Sequence, residues 1–417
     1  MGGCESNAMA RETILLHGHI IDSLLLPKVL DLILQFGGMF ELADIRIGKT
    51  RQETSSARII VTADSPEKLS EILAEVQAHG ATIEAPSDCA WQPAPADGVF
   101  PADFYATTNL STEVRLRSRW VAVSGIEMDL GIRLDLDNPD RPPAAMVPMA
   151  EVRKGDPIVV GRDGIRVIPV ERPAKLDVFG FMESMVSPER PHRHVIADVA
   201  RRMQTLRDGA GKVLLAGGPA IIHGGGRDAL TWLIESGFIH VLFCGNALAA
   251  HDMEAHLYGT SLGFRLESGS TARHGHEHHL RTINRIRAIG SIEEAVRSGV
   301  ITSGIMAACV RQQVNVVMAG TIRDDGPLPG VITDSIKAQA AMRAAVQGVG
   351  LAVLVASTLH AVATGNLLPA SVPTVCVDIN PAVPTKLADR GSFQAASVVM
   401  DAASFLREVA VELGWKK

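Results

Sequence analysis

Leu351-Ala352-Val353-Leu354-Val355-Ala356, followed by Thr364-Gly365-Asn366-Leu367-Leu368 and then Val375-Cys376-Val377-Asp378-Ile379-Asn380, is the stretch whose reading decides the fold. Its apolar runs lead into Gly, Asn and Asp, the pattern by which parallel strands present backbone amides and a carboxylate to a ligand at their carboxyl edge. The runs are uniformly apolar rather than alternating, as strands covered on both faces are. The pattern recurs at Lys212–Ala216 before Gly217-Gly218-Pro219, at Val241–Cys244 before Gly245-Asn246-Ala247, and at Ala396–Met400 before Asp401. It recurs again at Val314–Ala319 before Gly320-Thr321-Ile322-Arg323-Asp324-Asp325-Gly326. Helical stretches lie between: Ala247–Leu257 with Asn246 in the capping position, and Ser291–Arg297, opened by Ser291 with Glu294 three residues on. Strand and helix alternate, so residues 176–417 are expected to form a Rossmann-like α/β domain on a mostly parallel sheet with helices on both faces.

The N-terminal region follows another rhythm. Thr13–His19, Phe40–Ile47, Ala57–Thr62 and Ala81–Ala85 have strand character, whereas Leu24–Phe36 and Pro66–His79 carry helical spacing, the first stopped by Gly37-Gly38. The order β-α-β-β-α-β over residues 11–90 is that of a ferredoxin-like α+β module, a type that often regulates or dimerises. Residues 91–175 predict a small β-rich segment. It carries turn signals at Asn138-Pro139 and Arg162-Asp163-Gly164, and Pro157–Gly161 with Ile165–Pro169 predicts a hairpin.

At 417 residues the chain exceeds one ordinary core, and its 47% hydrophobic content supplies material for several. A formal charge of −6, from 46 acidic against 40 basic residues, leaves no basic footprint for nucleic acid. No apolar run reaches the length of a membrane helix and no secretory signal is visible, so a soluble, cytoplasmic protein is expected. Five scattered cysteines fit reduced thiols. Met1–Ala10 lacks apolar periodicity, carries Ser6-Asn7-Ala8 of the kind left by cloning, and is set aside.

Longer strings point to a family. Gly18-His19-Ile20-Ile21-Asp22-Ser23, Asp103-Phe104-Tyr105-Ala106-Thr107-Thr108-Asn109 and Gly245-Asn246-Ala247-Leu248-Ala249 with His251-Asp252-Met253-Glu254 lead the set. Arg323-Asp324-Asp325-Gly326-Pro327-Leu328-Pro329, Ala363-Thr364-Gly365-Asn366, Asp378-Ile379-Asn380-Pro381 and Asp389-Arg390-Gly391-Ser392 follow in order. Together they resemble the lysine-oxoglutarate reductase/saccharopine dehydrogenase bifunctional region, in members similar to archaeal-type ornithine cyclodeaminases. The resemblance runs over nearly the whole chain from about Arg11. It implies tightly bound NAD and conversion of L-ornithine to L-proline with loss of ammonia. A homo-oligomer is expected.

That chemistry takes a hydride from the substrate's α-carbon and returns it, so the protein must place the nicotinamide, hold a carboxylate and move protons. Amides at Asn246 and Ala247 open a helix that could meet phosphate, and Thr364, Gly365, Asn366, Leu367 and Leu368 could offer a second bed of amides. Asp378 and Asp401, each at a presumed strand end, could accept from ribose hydroxyls, which favours NAD over NADP. Turn formation alone is the competing account of the glycines, and no G-x-G-x-x-G follows any strand. Asp324 is an acid/base candidate on a paired-carboxylate loop, and the resemblance favours Asp325 as a cofactor contact. Arg323 is the first choice for the substrate carboxylate, with Arg390 and Lys386 as rivals; a solvated turn is the alternative. His251, Asp252 and Glu254 share one helix, where Asp252 serves either catalysis or the helix's positive end.

Arg273-His274-Gly275-His276-Glu277-His278-His279 matches no metal-site spacing, and its glycine argues for a loop that serves proton transfer rather than a metal. Gly224-Gly225-Gly226, with no Lys-Ser/Thr after it, either cradles phosphate or turns the chain. Two rival functions use the same features: a saccharopine-type amino-acid dehydrogenase that releases NADH, and a non-catalytic NAD-binding sensor.

Overall fold

The computed structural model describes all residues except 1–8, 22–23, 50–52, 85, 136–142, 169–191, 210, 267, 273–274, 325, 390–394 and 417. The chain divides into two compact units, Met1–Val178 with Pro369–Ser371, and Phe179–Leu368 with Val372–Lys417. Among the described residues no helix is long and apolar enough to cross a membrane.

The first unit opens with β1 (Ala10–Gly18), α1 (Leu25–Gln35), β2 (Met39–Arg46), β3 (Ser55–Ala63), α2 (Pro66–Ala78) and β4 (Thr82–Ile83). The sheet order is β2-β3-β1-β4, antiparallel throughout, the ferredoxin-like arrangement expected. Alternation along β1 and β3 turns Ile14, Leu16, Ile59 and Val61 inward against Val29 and Ile33 of α1 and Ile72 and Val76 of α2, all fully buried or nearly so. Ser65 caps α2 by accepting from the Lys68 amide, with Pro66 at the first helical position.

The β-rich segment contains β5 (Ala90–Pro93), β6 (Ser111–Leu116), β7 (Arg119–Ala122), β8 (Gly131–Leu134), β9 (Ala144–Val147), β10 (Pro157–Val160) and β11 (Ile165–Ile168). The expected hairpin is not formed. β10 pairs with β5 and β8, whereas β11 pairs with β6, in a second sheet of order β11-β6-β7. The reason lies at Gly164, whose φ is +66° and whose missing Cβ would meet the Cys89 amide at 2.4 Å. Its carbonyl accepts from Arg115, so the turn hands the chain to the other sheet instead of folding it back. Asn138-Pro139 lies outside the described residues.

The second unit runs α3 (His192–Asp208), β12 (Lys212–Gly217), α4 (Ala220–His223), α5 (Arg227–Glu235), β13 (Val241–Cys244), α6 (Asn246–Tyr258), β14 (Thr260–Ser261), β15 (Phe264–Arg265), α7 (His278–Ile289), α8 (Ile292–Arg297) and α9 (Ile305–Gln312). It continues with β16 (Asn315–Met318), α10 (Ser335–Ala345), β17 (Val349–Val355), α11 (Thr358–Leu367), β18 (Thr374–Asp378), α12 (Ala382–Asp389), β19 (Ala395–Val399) and α13 (Ala402–Glu412). The sheet order is β16-β13-β12-β17-β18-β19, and every pair is parallel. Counted along the chain this is 3-2-1-4-5-6, the doubly wound dinucleotide-binding order. Leu214, Phe243, Leu354 and Cys376 of the sheet pack with Met342 of α10, Leu367 of α11 and Leu387 of α12. Cys89, Cys244, Cys309 and Cys376 are free and buried, and burial raises their thiols, Cys244 and Cys376 to about 12.

Candidate functional site

Strand order reverses between β12 and β17, which opens a crevice at their carboxyl ends. Gly217-Gly218-Pro219 leaves β12 there. The Gly218 amide donates to the Val355 carbonyl at 3.0 Å, and a Cβ on Gly218 would lie 1.7 Å from the Ala356 carbonyl oxygen. Only glycine fits, and the backbone at the switch point stays bare of side chains. Across it, Ala356 takes a left-handed φ of 50° and the chain enters α11 through Ser357. Ser357 Oγ lies 3.2 Å from His360 Nδ1, while His360 Nε2 donates to the Ala319 carbonyl at 3.3 Å, just past β16. The same ring crowds Gly245, where a Cβ would stand 3.1 Å from it. Burial lowers the His360 pKa, against the opposing pull of the Ala319 carbonyl and Asp324, and so favours the neutral ring.

The structure redistributes the residues singled out from sequence. Gly245 occupies the cap position of α6, and Asn246 is its first residue; Asn246 Oδ1 instead accepts from the Leu328 amide at 3.0 Å, anchoring the loop after β16. Ala247 sits half-buried beside it. Thr364, Gly365, Asn366 and Leu367 are no strand-end loop: they are the last turn of α11, and Leu368 follows it. Their setting is helical because Thr364 Oγ1 donates back to the His360 carbonyl at 2.6 Å and the Leu368 amide to Thr364 at 3.1 Å. Leu367 and Leu368 pack their side chains in the apolar core, while the amides of this last turn lie within the helix. Asp378 ends β18 and accepts from the Asn380 amide at 2.8 Å. Asp401 caps α13, accepting from the Ser404 amide and hydroxyl, both at 2.8 Å.

Arg323 lies on an exposed turn, and Asp324 accepts from the Thr321 amide at 2.7 Å. Asp325 and Arg390 lie outside the described residues, and Lys386 is exposed on α12. Asp252 is a structural anchor. It is fully buried, receives Arg227 Nε at 2.7 Å, and caps α9 by accepting from the amides of Ile305 at 3.0 Å and Met306 at 2.8 Å. With both oxygens engaged by fixed donors, it is not placed to carry protons. The amides of Gly224, Gly225 and Gly226 donate to the carbonyls of Ala220, Ile222 and Ile221, and Arg407 donates to the carbonyls of Gly224 and Gly225, so the glycine run forms a turn with its amides engaged.

His251 and Glu254, on another side of the same helix, join a buried polar network. His251 Nδ1 meets Glu254 Oε2 at 2.7 Å, and Thr260 Oγ1 donates to Glu254 Oε1 at 2.8 Å. His278 Nδ1 lies 2.8 Å from that hydroxyl, and the His223 ring stands 4.9 Å from that of His251, edge-on, with Nδ1 2.6 Å from Ser261 Oγ. His278 and His279 open α7 rather than lying in a loop. Among the described residues no group of three His, Cys, Asp or Glu side chains is arranged to hold a metal. Sequence reasoning passed over His360 and treated Gly218 as one turn among several. What distinguishes them is position, after the first and fourth strands of a doubly wound sheet, which no local motif announces.

The chain matches three family descriptions in succession: the LOR/SDH bifunctional enzyme conserved region over residues 11–110, the first region of the C-terminal part of arginine dihydrolase ArgZ-like proteins over 111–196, and their Rossmann fold over 197–409. It is 48% identical over 403 residues to an ornithine cyclodeaminase of Methanopyrus kandleri, covering 96% of this chain and 97% of that protein. The apo structure of ArgZ, a cyanobacterial arginine dihydrolase, superposes with a TM-score of 0.83 at 35% identity, over 98% of this chain and 59% of that one. The ternary complex of AgrE with ornithine and NAD+ is 38% identical with a TM-score of 0.51, over 97% of this chain and 57% of that one. This chain thus spans little more than half the length of the two cyanobacterial proteins, but nearly all of the archaeal one. It belongs to the archaeal-type ornithine cyclodeaminase family.

Proposed function

We propose that this protein is an NAD-dependent ornithine cyclodeaminase that converts L-ornithine to L-proline and ammonia. The observation that carries the reading is the near full-length identity with an archaeal ornithine cyclodeaminase on a sheet whose switch point is kept bare by Gly218. The residues there fit a dinucleotide: a side-chain-free backbone after β12, a carboxylate on Asp378 at the end of β18, and the helix opening at Asn246 and Ala247. NAD, when bound, takes up and gives back a hydride, so no external oxidant is needed. Asn246 fixes the loop that carries Arg323 and Asp324, and we assign Arg323 to the substrate carboxylate because its planar fork binds both oxygens.

Two measurements on the purified protein test this. Heat denaturation is expected to release NAD, and addition of L-ornithine to give proline and ammonia in equal amounts without accumulation of NADH. Stoichiometric NADH release would instead identify a dehydrogenase, and absence of turnover with bound NAD a sensor.

A further inference from the structure

The reaction proposed above has a proton problem that none of the strand-end residues solves. One substrate nitrogen must lose a proton before it can attack, and the other must gain one before it leaves. We propose that His251 is the proton carrier, that Glu254 is the residue that positions it, and that the pair lies on the substrate side of the switch-point crevice. The proposal rests on the ornithine reading.

α6 carries the pair and starts at the carboxyl end of β13, one strand over from the crevice, while α4, which carries His223, starts beside Gly218 at the crevice itself. α6 leaves the sheet edge at Asn246, and five residues of helical rise put His251 about 7.5 Å beyond it. α4 begins two residues after Gly218 and ends at His223, whose ring meets that of His251 edge-on at 4.9 Å. The network fixes the tautomer of His251. A carboxylate only accepts, so Nδ1 donates to Glu254 and the lone pair falls on Nε2. Glu254 is fully buried, and its other oxygen is held by Thr260, to whose hydroxyl His278 Nδ1 in turn donates. The His251 side chain retains 10% exposure. One ring nitrogen is held by a buried carboxylate, and among the described residues the hydrogen bond of the ring runs through that nitrogen, which leaves Nε2 for a substrate.

The groups around His251 support the role. His223 faces it from α4, Glu254 from its own helix and the His279 ring from α7 at 6.1 Å, while in the next layer Ser261 bonds His223, Thr260 bonds Glu254 and His278 bonds Thr260. Arg227 and Asp252 neutralise each other and tie α5 to α6, and Asp252 ties α6 to α9 through the Ile305 and Met306 amides. Burial and the neighbouring His251 ring push His223 down to about 4, so it is neutral near neutral pH and leaves the proton traffic to its partner. In the reaction, Nε2 takes a proton from the δ-ammonium as that nitrogen bonds to the α-carbon. It then returns the proton to the α-nitrogen, whose bond to carbon breaks as ammonia leaves. As the ring imine forms, the ring nitrogen gives its second proton to solvent; that proton and the one the α-ammonium loses with the hydride are taken up by the released ammonia and by the proline nitrogen, so protons balance and no further reactant is required.

The test uses the full-length, NAD-loaded protein with H251N and E254Q. H251N is expected to lower kcat for ornithine by about 100-fold or more per folded, NAD-loaded molecule with KM little changed, and added imidazole to restore part of the rate. In E254Q the new amide, with its oxygen kept on Thr260, presents N–H to Nδ1 and moves the ring proton to Nε2. Its kcat is expected to fall at least about tenfold, with loss of the acid limb of the pH–rate profile. A kcat within about threefold of the parent and an unchanged pH profile in either variant overturns the proposal. If H251N does not fold, E254Q decides alone. A parent protein that makes no proline from ornithine sinks the ornithine reading and the proposal together, whereas an active parent with active variants sinks only the proposal.

Discussion

Replacing Asp252 by Asn separates the two readings of that residue. The carboxylate is fully buried, and the Arg227 side chain that it receives is only 16% exposed. D252N keeps the shape but turns one acceptor into a donor. Either Arg227 Nε or an amide at the start of α9 must then face an N–H. Removing one partner of a buried pair costs about 3–5 kcal/mol, and leaving a buried donor unmet about 1–3 kcal/mol. These overlap, because one substitution causes both, so we expect about 3 kcal/mol. At about 2–4 °C per kcal/mol for a unit of this size, the melting temperature should fall by about 6–12 °C. Scanning calorimetry at matched NAD saturation measures this, since bound ligand adds its own stabilisation. Turnover per NAD-loaded molecule, assayed well below the melting transition, should stay within about threefold of the parent. An unchanged melting temperature with a kcat about 100-fold lower would refute the structural assignment and restore Asp252 to catalysis.

G218A should destabilise the protein by about 3 kcal/mol and strip it of NAD, because the new Cβ would meet the Ala356 oxygen at 1.7 Å and both obstacles are backbone; a melting temperature and NAD content equal to the parent's would contradict the close approach. His223 titrates at about 4 in the folded chain against an ordinary 6.5, so the folded state resists a proton that the unfolded chain accepts. Its contribution is present above pH 6.5 and is lost as the pH falls toward 4, so H223Q should flatten the acid side of a stability-versus-pH curve; parallel curves for parent and variant would argue against it. R323K should raise the KM for ornithine about tenfold while NAD remains bound, since a lysine keeps the charge and loses the fork. Unchanged KM would return Arg323 to a solvated turn and move the carboxylate anchor to Lys386 or Arg390.

How much of this was legible in the sequence depended on how far each signal reaches along the chain. The uniformly apolar runs at Lys212, Val241, Leu351 and Val375 announced buried parallel strands because both faces of such strands need apolar cover, a property each run carries by itself. Ser291 with Glu294 three residues on, and Pro66 at a first turn, announced helix starts because these signals act within one turn of the chain. Tertiary structure alone decided what depends on the neighbour. The turn at Gly164 resembles a hairpin turn until its carbonyl is seen held by Arg115, which sends β11 to another sheet. Thr364 to Leu368 read as a ligand loop because Gly and Asn break helices locally, yet with Leu367 packed in the core Thr364 to Leu367 close the helix and only Leu368 leaves it. Asp252 and Glu254, two residues apart on one helix, were indistinguishable as letters. A helix turns about 100° per residue, so one carboxylate points to Arg227 and the α9 amides and the other to His251 and Thr260. Spacing fixed that they would diverge, and only the folded surroundings decided which became an anchor and which joined a chain of proton-bearing groups.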